Sequence, residues 1–245
     1  IFMHGPQVFA AVDVYTGRLL WKIKLAKGIS PGRRGNFFEK VKVGYHYVAT
    51  NEWIYLSTGS HCKLIDPATG QVKKRFTMPK GREWGRMRVW RDLLIVSSFE
   101  VNEDKKKVPQ RLIALNRHTG KKVWEHKATF SAPVVAIGKK RLYYFDGMIE
   151  GLYDDWKRRG KVPPASDFRY LKALDVQTGK QVWEKTTDRI VTWLSYSEQQ
   201  NVLVASNKMG MNAFDGRDGK ELWKKQAEGK GFKGHPENLW DKKLL

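Results

Sequence analysis

Cysteine is nearly missing from this chain: Cys62 is the single one among 245 residues. One cysteine forbids an internal disulfide, a CxxC redox pair, a CxxCH haem attachment and a multi-cysteine zinc site. Long apolar runs are missing too. The most apolar stretch, Leu93 to Val96, falls far short of the roughly 20 residues that a membrane-spanning helix needs. Acidic residues are scarce, 25 Asp and Glu against 46 Lys and Arg, which leaves a formal charge of +21. No GxSxG elbow, phosphate-binding P-loop or dinucleotide glycine pattern occurs, so serine-hydrolase and nucleotide chemistry lack local support. The six histidines, at positions 4, 46, 61, 118, 126 and 235, never fall at the i, i+4 or H-x-H spacing of a zinc site. His118 within a turn and His126 at a strand end read as solvent-facing. Helix-period segments of convincing length are absent as well.

What is present is a core's worth of apolar material. Apolar residues make up 41% of the chain and aromatic residues 12%, with ten Trp, which excludes intrinsic disorder. The basic excess attracts polyanions such as nucleic acid, anionic headgroups and acidic polysaccharide. It is spread over clusters such as Lys73-Lys74-Arg75, Lys105-Lys106-Lys107, Lys139-Lys140-Arg141 and Lys157-Arg158-Arg159. No helix-borne stripe or nucleic-acid motif organises these clusters, so a solvated basic surface and a dedicated polyanion site both stay open.

A repeat carries most of the information. Asp13-Val14-Tyr15-Thr16-Gly17 leads to Trp21, and Asn116-Arg117-His118-Thr119-Gly120 leads to Trp124. Asp175-Val176-Gln177-Thr178-Gly179 leads to Trp183, and Asp215-Gly216-Arg217-Asp218-Gly219 leads to Trp223. A fifth segment, Asp66-Pro67-Ala68-Thr69-Gly70, keeps the turn but has Lys74 where Trp is expected. The glycines are 53, 50, 59 and 40 residues apart, which suits a four-stranded unit with variable loops and is too long for ankyrin or leucine-rich repeats.

Each segment reads as a hairpin. An apolar strand ends at an Asp or Asn whose side chain accepts from backbone amides ahead of it, and Gly then takes the positive φ of a tight turn. The next strand brings a Trp, a large rigid wedge suited to packing one sheet on its neighbour. With the upstream strands added, the pattern predicts an all-β propeller of four complete antiparallel four-stranded blades. To these it adds half a blade, because only two strands are placed around the first motif. Residues 1–245 are read as one domain, part of a larger ring of about eight blades, with a loop insertion at 147–169. A tail at 226–245, which contains Trp240 but no turn motif, leads toward a further blade.

The A-x-D-x-x-T-G-x-x-x-W pattern, as in Ala173-Leu174-Asp175 through Trp183, resembles the tryptophan-docking motif of pyrroloquinoline-quinone-type β-propeller repeats. The resemblance covers the whole chain at the level of fold. It extends to quinoprotein alcohol dehydrogenases, to the outer-membrane assembly (BamB-like) lipoprotein and to envelope members without an assigned activity. In that family the repeat is structural, so Asp13, Gly17, Trp21, Asp66, Gly70, Asn116, Gly120, Trp124, Asp175, Gly179, Trp183, Asp215, Gly219 and Trp223 carry over as blade-packing residues. The dehydrogenases, by resemblance, hold the quinone beside a disulfide of two adjacent cysteines, with a calcium or lanthanide site and an Asp base. Cys62 has no adjacent partner, and no carboxylate or Asn matches the metal pattern. No cofactor is therefore expected. PQQ with Ca²⁺ belongs to an alternative reading, a quinone-dependent dehydrogenase domain or remnant. The favoured reading is a non-catalytic scaffold that binds a protein or polyanionic partner. A charge-driven nucleic-acid or polysaccharide binder is a further alternative. The resemblance also implies a periplasmic or cell-envelope location.

Two stretches interrupt the repeat. In the 147–169 insertion, Ile149 to Arg159 reads as a short helix before Pro163-Pro164 forces an extended exit. Its Trp156, Lys157, Arg158 and Arg159 form a candidate partner-binding loop, since long loops on rigid scaffolds often carry recognition. In Arg82-Glu83-Trp84-Gly85-Arg86-Met87-Arg88-Val89-Trp90-Arg91, Arg and Trp interleave, as a stacking surface for single-stranded nucleic acid does. The favoured reading there is an innermost blade strand with alternate residues buried.

Overall fold

Every one of the five turn motifs joins two neighbouring strands of an antiparallel sheet. Five sheets result in the computed structural model, which describes residues 1–5, 7–25, 47–101, 107–128, 134–148, 150–161, 169–207 and 209–226. Sheet 1 contains β1 (Phe2–Gly5), β2 (Val8–Val12) and β3 (Leu19–Lys24). Sheet 2 contains β4 (Tyr47–Ala49), β5 (Ile54–Thr58), β6 (His61–Ile65) and β7 (Val72–Thr77). Sheet 3 is built from β8 (Arg82–Trp90), β9 (Leu93–Val101), β10 (Lys107–Asn116) and β11 (Lys122–Lys127). In sheet 4, β12 (Val135–Ile137) and β13 (Arg141–Gly147) are followed by α1 (Glu150–Arg158), then β14 (Arg169–Asp175) and β15 (Gln181–Thr186). Sheet 5 holds β16 (Trp193–Ser197), β17 (Val202–Asn207), β18 (Gly210–Asp215) and β19 (Glu221–Gln226). Strands are ordered as they occur in the chain, the meander of a propeller blade.

One expectation is corrected in sheet 1. The first motif is not limited to two strands, because Phe2 to Gly5 pairs antiparallel with Val8 to Ala11 in a third. Gln7, at φ +85°, turns the chain tightly enough for four residues to fold back. Of the Arg82–Arg91 stretch, Arg82 to Trp90 form an edge strand, β8, but its burial does not simply alternate. A register shift between Trp84 and Met87 opens a bulge, and Trp84, Gly85 and Met87 are all buried. The 147–169 insertion contains α1, whereas 149 and 162–168, with Pro163-Pro164, lie outside the described residues. So does the tail from 227 onward.

A register shift recurs beside the hairpin in sheets 1, 2, 4 and 5, at Ala11/Val12, Leu64/Ile65, Ala173/Leu174 and Ala213/Phe214. It decides which face the Trp uses, because a one-residue slip reverses every side chain. In sheet 4 the result is a row across three strands, Tyr143 beside Ala173 beside Trp183. The small Ala lets two large rings share one face.

The chain divides into two compact units, residues 1–123 and 124–245, within β11. In the first unit β4 lies against β8, and in the second β12 lies against β16, so first strands neighbour each other as they do in propeller blades. The first unit's cores gather Phe9, Ile54, Leu56 and Ile65 on one side of sheet 2 and Tyr55, Cys62, Leu64, Phe76, Met87 and Val96 on the other. The second unit's core includes Tyr143, Phe145, Leu171, Trp183, Leu194 and Phe214. Among the described residues no helix is long and apolar enough to cross a membrane.

Candidate functional site

The turns set the geometry on which everything else is mounted. Asp13 Oδ1 accepts from the Tyr15 amide at 3.0 Å, the Thr16 amide at 2.8 Å and the Thr16 hydroxyl at 2.9 Å. These Thr16 and Tyr15 donors hold its carboxyl below the usual carboxylate range. Asn116 does the same work without a charge, accepting from His118 and from the amide and hydroxyl of Thr119. Each turn ends at a glycine with φ between +70° and +76°.

Four of those glycines are covered by an aromatic ring, which replaces the side chain they lack. A Cβ on Gly70 would lie 2.7 Å from the Trp21 ring, one on Gly179 2.6 Å from Trp124, and one on Gly219 2.9 Å from Trp183. Every such indole N–H donates to the carbonyl one residue past the turn's Asp. Trp21 bonds Pro67 at 2.9 Å, Trp124 bonds Val176 at 3.0 Å and Trp183 bonds Gly216 at 3.1 Å. Trp124 and Trp183 are buried in these seats.

Sheet 2 makes the same joint without tryptophan. Lys74 stands at the indole's position and its Nζ donates to the His118 carbonyl at 3.2 Å. Phe76, two residues along and therefore on the same face, puts its ring over Gly120, where a Cβ would lie 2.5 Å away. The missing donor comes from Tyr55, whose hydroxyl bonds the Arg117 carbonyl at 3.2 Å. In sheet 4 the equivalent Tyr143 adds its hydroxyl at 3.0 Å to the Gly216 carbonyl that Trp183 already bonds. Tyr55, Phe76 and Tyr143 escaped the sequence reading. The spacing of Phe76 from Lys74 was the available signal.

The candidate partner-binding loop is an ordered helix. Tyr153 and Trp156 of α1 pack on the second unit's core, and the Arg169 guanidinium lies 5.2 Å above the Tyr153 ring. Beyond the last turn the Gly160 amide bonds Lys157 and the Lys161 amide bonds Trp156, with Gly160 at φ +63°. This is a Schellman cap, so backbone amides already satisfy the terminal carbonyls. Lys157, Arg158, Arg159 and Lys161 are exposed around it, while Trp156 is half-buried. The structure thus separates the four candidate residues, with the ring facing inward and the cations outward.

A buried polar cluster occupies another face of sheet 4. Lys172 Nζ bridges Asp146 Oδ2 and Glu184 Oε2, each at 2.9 Å, and the Asp146 side chain is fully buried. Burial alone would lower the Lys172 pKa, but the hydrogen bonds its ammonium donates to Asp146 and Glu184 raise it. Beside it, His126 Nε2 and the Tyr144 hydroxyl are 2.8 Å apart. His126 therefore does not face solvent as its strand-end position suggested. It is half-buried, with a pKa lowered by desolvation and by Lys172. His118 is more open, with Nε2 3.1 Å from Asp92 Oδ1.

Cys62, the single cysteine, has no neighbour with which to form the adjacent-cysteine disulfide that the resemblance implies for a quinone site. Cys62 is fully buried in β6 with its Sγ 4.0 Å from Met87 Sδ, and burial pushes its thiol up, away from the reactive thiolate. Among the described residues no three His, Cys, Asp or Glu side chains converge to hold a metal ion.

Comparison with known proteins places this geometry. A family model described as outer membrane protein assembly factor BamB matches residues 6–162 and again residues 109–243. No curated protein matches significantly. A quinohemoprotein alcohol dehydrogenase of Comamonas testosteroni superposes with a TM-score of 0.65 at 15% identity, over 96% of this chain and 43% of that one. For the Pseudomonas putida quinohemoprotein alcohol dehydrogenase the TM-score is 0.58 at 16% identity, over 92% and 40%. BamB from Moraxella catarrhalis gives 0.55 at 12% identity, over 93% and 57%. At such identities the likeness is one of fold, and the chain spans between 40% and 57% of these structures' lengths.

Proposed function

The chain belongs to the family described as outer membrane protein assembly factor BamB, and from that membership we propose that it is a non-catalytic propeller scaffold that binds a partner protein. The observation that carries the reading is α1. An ordered, capped helix interrupts sheet 4 between β13 and β14, anchored by Tyr153 and Trp156, and turns Lys157, Arg158, Arg159 and Lys161 outward. The exposed positive charge gathered at this helix end suits an acidic segment of the partner. No cofactor is part of this reading, given the environment of Cys62. Membership in a family described by outer-membrane assembly supports an envelope location.

The test uses a fluorescein-labelled Glu/Asp-rich peptide, titrated with the full chain and followed by anisotropy. Reversing Lys157, Arg158 and Arg159 to Glu is expected to weaken binding about tenfold, or ~1.4 kcal/mol. Unchanged binding by the reversed variant overturns the role of α1. An oligonucleotide or heparin arm that binds more tightly, with affinity falling steeply in salt, transfers the case to a charge-driven polyanion binder. Quinone-dependent turnover after titration with PQQ and Ca²⁺ overturns the non-catalytic reading.

A further inference from the structure

Sheet 2 gathers an excess of positive charge on its last strand. In β7, Lys73, Lys74 and Arg75 follow one another, all exposed, with no acidic residue in the strand. The last strands of sheets 3, 4 and 5 each hold a glutamate, Glu125, Glu184 and Glu221. Across the ladder, Arg75 stands directly opposite Lys63 of β6. Lys73 Nζ donates to Gln71 Oε1 at 2.8 Å and Lys74 Nζ to the His118 carbonyl at 3.2 Å, both neutral acceptors. Among the described residues no carboxylate pairs with Lys63 or Arg75. Asp66, just beyond β6, is engaged in its own turn, where it accepts from the Ala68 amide at 2.8 Å.

The hydrogen bonding brings that pair close and leaves the edge open. The Met78 amide, next after β7, donates to the Ser60 carbonyl at 2.9 Å. Bonding alternates along an antiparallel strand, so Phe76 bonds β6 as well, while Arg75 and Thr77 turn their amides and carbonyls away from it. Lys63 and Arg75 therefore form a non-hydrogen-bonded pair, the kind whose Cα atoms come within about 4.5 Å and whose like charges repel. On its other side β7 is the terminal strand of sheet 2, pairing with β6 alone among the described residues. Lysine on an edge commonly serves to keep other edges away. That role needs outward charge on β7 and does not call for Lys63 behind Arg75, a repulsion internal to the sheet.

We propose that the open edge of β7 receives an extended acidic segment of a partner protein as an additional strand of sheet 2. The amides and carbonyls of Arg75 and Thr77 supply main-chain bonds for such strand addition. A residue laid opposite Arg75 shares the face of Arg75 and Lys63, so a carboxylate there meets both cations. Further carboxylates fall at alternate positions of the segment, because side chains alternate between the faces of a sheet. A second copy of the chain does not suit the edge, since its own β7 brings the same charges. The surface belongs to the first unit and stands independently of α1, which belongs to the second.

The probe is a fluorescein-labelled peptide of alternating Glu and Thr, titrated with the full chain and followed by anisotropy. Arg75→Glu should weaken binding about tenfold and raise the urea midpoint, because it gives Lys63 an opposite charge. Thr77→Pro removes an outward amide and leaves the ladder to β6 intact, a substitution that an edge strand tolerates. It should weaken binding about fivefold with every charge in place and circular dichroism unchanged. A chain with Lys157, Arg158 and Arg159 reversed to Glu is expected to bind this peptide like the wild type. Absence of binding, or binding that Arg75→Glu leaves unchanged, overturns the proposal, as does a lowered urea midpoint for that variant. Binding that survives Thr77→Pro overturns it by making the contact one of charge alone. A polythymidine oligonucleotide that binds more tightly than the peptide, and is released by Arg75→Glu, overturns it in favour of nucleic acid. Binding lost only on reversal of the α1 cations overturns it too, and leaves the function proposed for α1 standing.

Discussion

Replacing Trp124 with Ala should cost the protein more than replacing Trp183, although the two indoles occupy equivalent seats and are almost equally buried, at 6% and 8% exposure. Truncating a buried Trp to Ala costs about 3–5 kcal/mol through lost transfer energy and the cavity left behind. The two sites differ in what they leave unpaired. After Trp183→Ala the Gly216 carbonyl keeps the Tyr143 hydroxyl at 3.0 Å, which places the loss near 3–4 kcal/mol. After Trp124→Ala the carbonyl of fully buried Val176 has no second donor among the described residues, which adds roughly 1 kcal/mol. Urea melts followed by circular dichroism measure both, provided the slope with denaturant is unchanged. A double-mutant cycle sharpens the case. Tyr143→Phe alone leaves Trp183 on the carbonyl and should cost about 1 kcal/mol. Combined with Trp183→Ala it strips both donors, so the double variant should lose about 1 kcal/mol more than the sum. Additivity within about 0.5 kcal/mol, or equal losses at the two tryptophans, refutes the claim that these carbonyls need a donor.

Two further outcomes follow from the same contacts. Phe76→Ala should cost about 3 kcal/mol in denaturant melts, since its ring covers Gly120, whereas Lys74→Ala should stay under about 1 kcal/mol because its exposed amine makes one hydrogen bond. His126 has a folded-state pKa below its ordinary 6.5, so the unfolded chain binds the extra proton first and the contribution of His126, complete above that value, fades as pH falls through the folded pKa. His126→Gln keeps a partner for the Tyr144 hydroxyl and should flatten the pH dependence of melting below about pH 6.5, while an unchanged slope there shows that His126 does not titrate on unfolding.

The sheets were legible because their cause is local. An Asp or Asn that accepts from amides two and three residues ahead, followed by a glycine, announces a hairpin wherever it falls, and the strands on either side alternate apolar and polar. The bulge at Trp84 to Met87 was not legible, because it depends on the Arg86 amide finding the Ser97 hydroxyl at 2.8 Å across the sheet. Nor was β1, since four residues with no motif become a strand only when β2 stands beside them. The buried pairing of Lys172 with Asp146 and Glu184 escaped for a related reason. Its members come from three strands, and two of the intervals between them are set by the insertion and by the hairpin.

What the joints require is narrower than a tryptophan and broader than a motif. Each needs a flat ring over a glycine that has no side chain of its own, and a hydrogen-bond donor for the carbonyl just past the turn's Asp or Asn. At Gly179 one indole meets both needs, at Gly219 an indole and a tyrosine share the carbonyl, and at Gly120 the ring is Phe76 and the donor is Tyr55. The requirement therefore lies in the chemistry of the seat, which is why the lysine at position 74 does not break the repeat. A seat defined this way can be recognised from contacts alone, and by that measure the turns at Gly70, Gly120, Gly179 and Gly219 are filled.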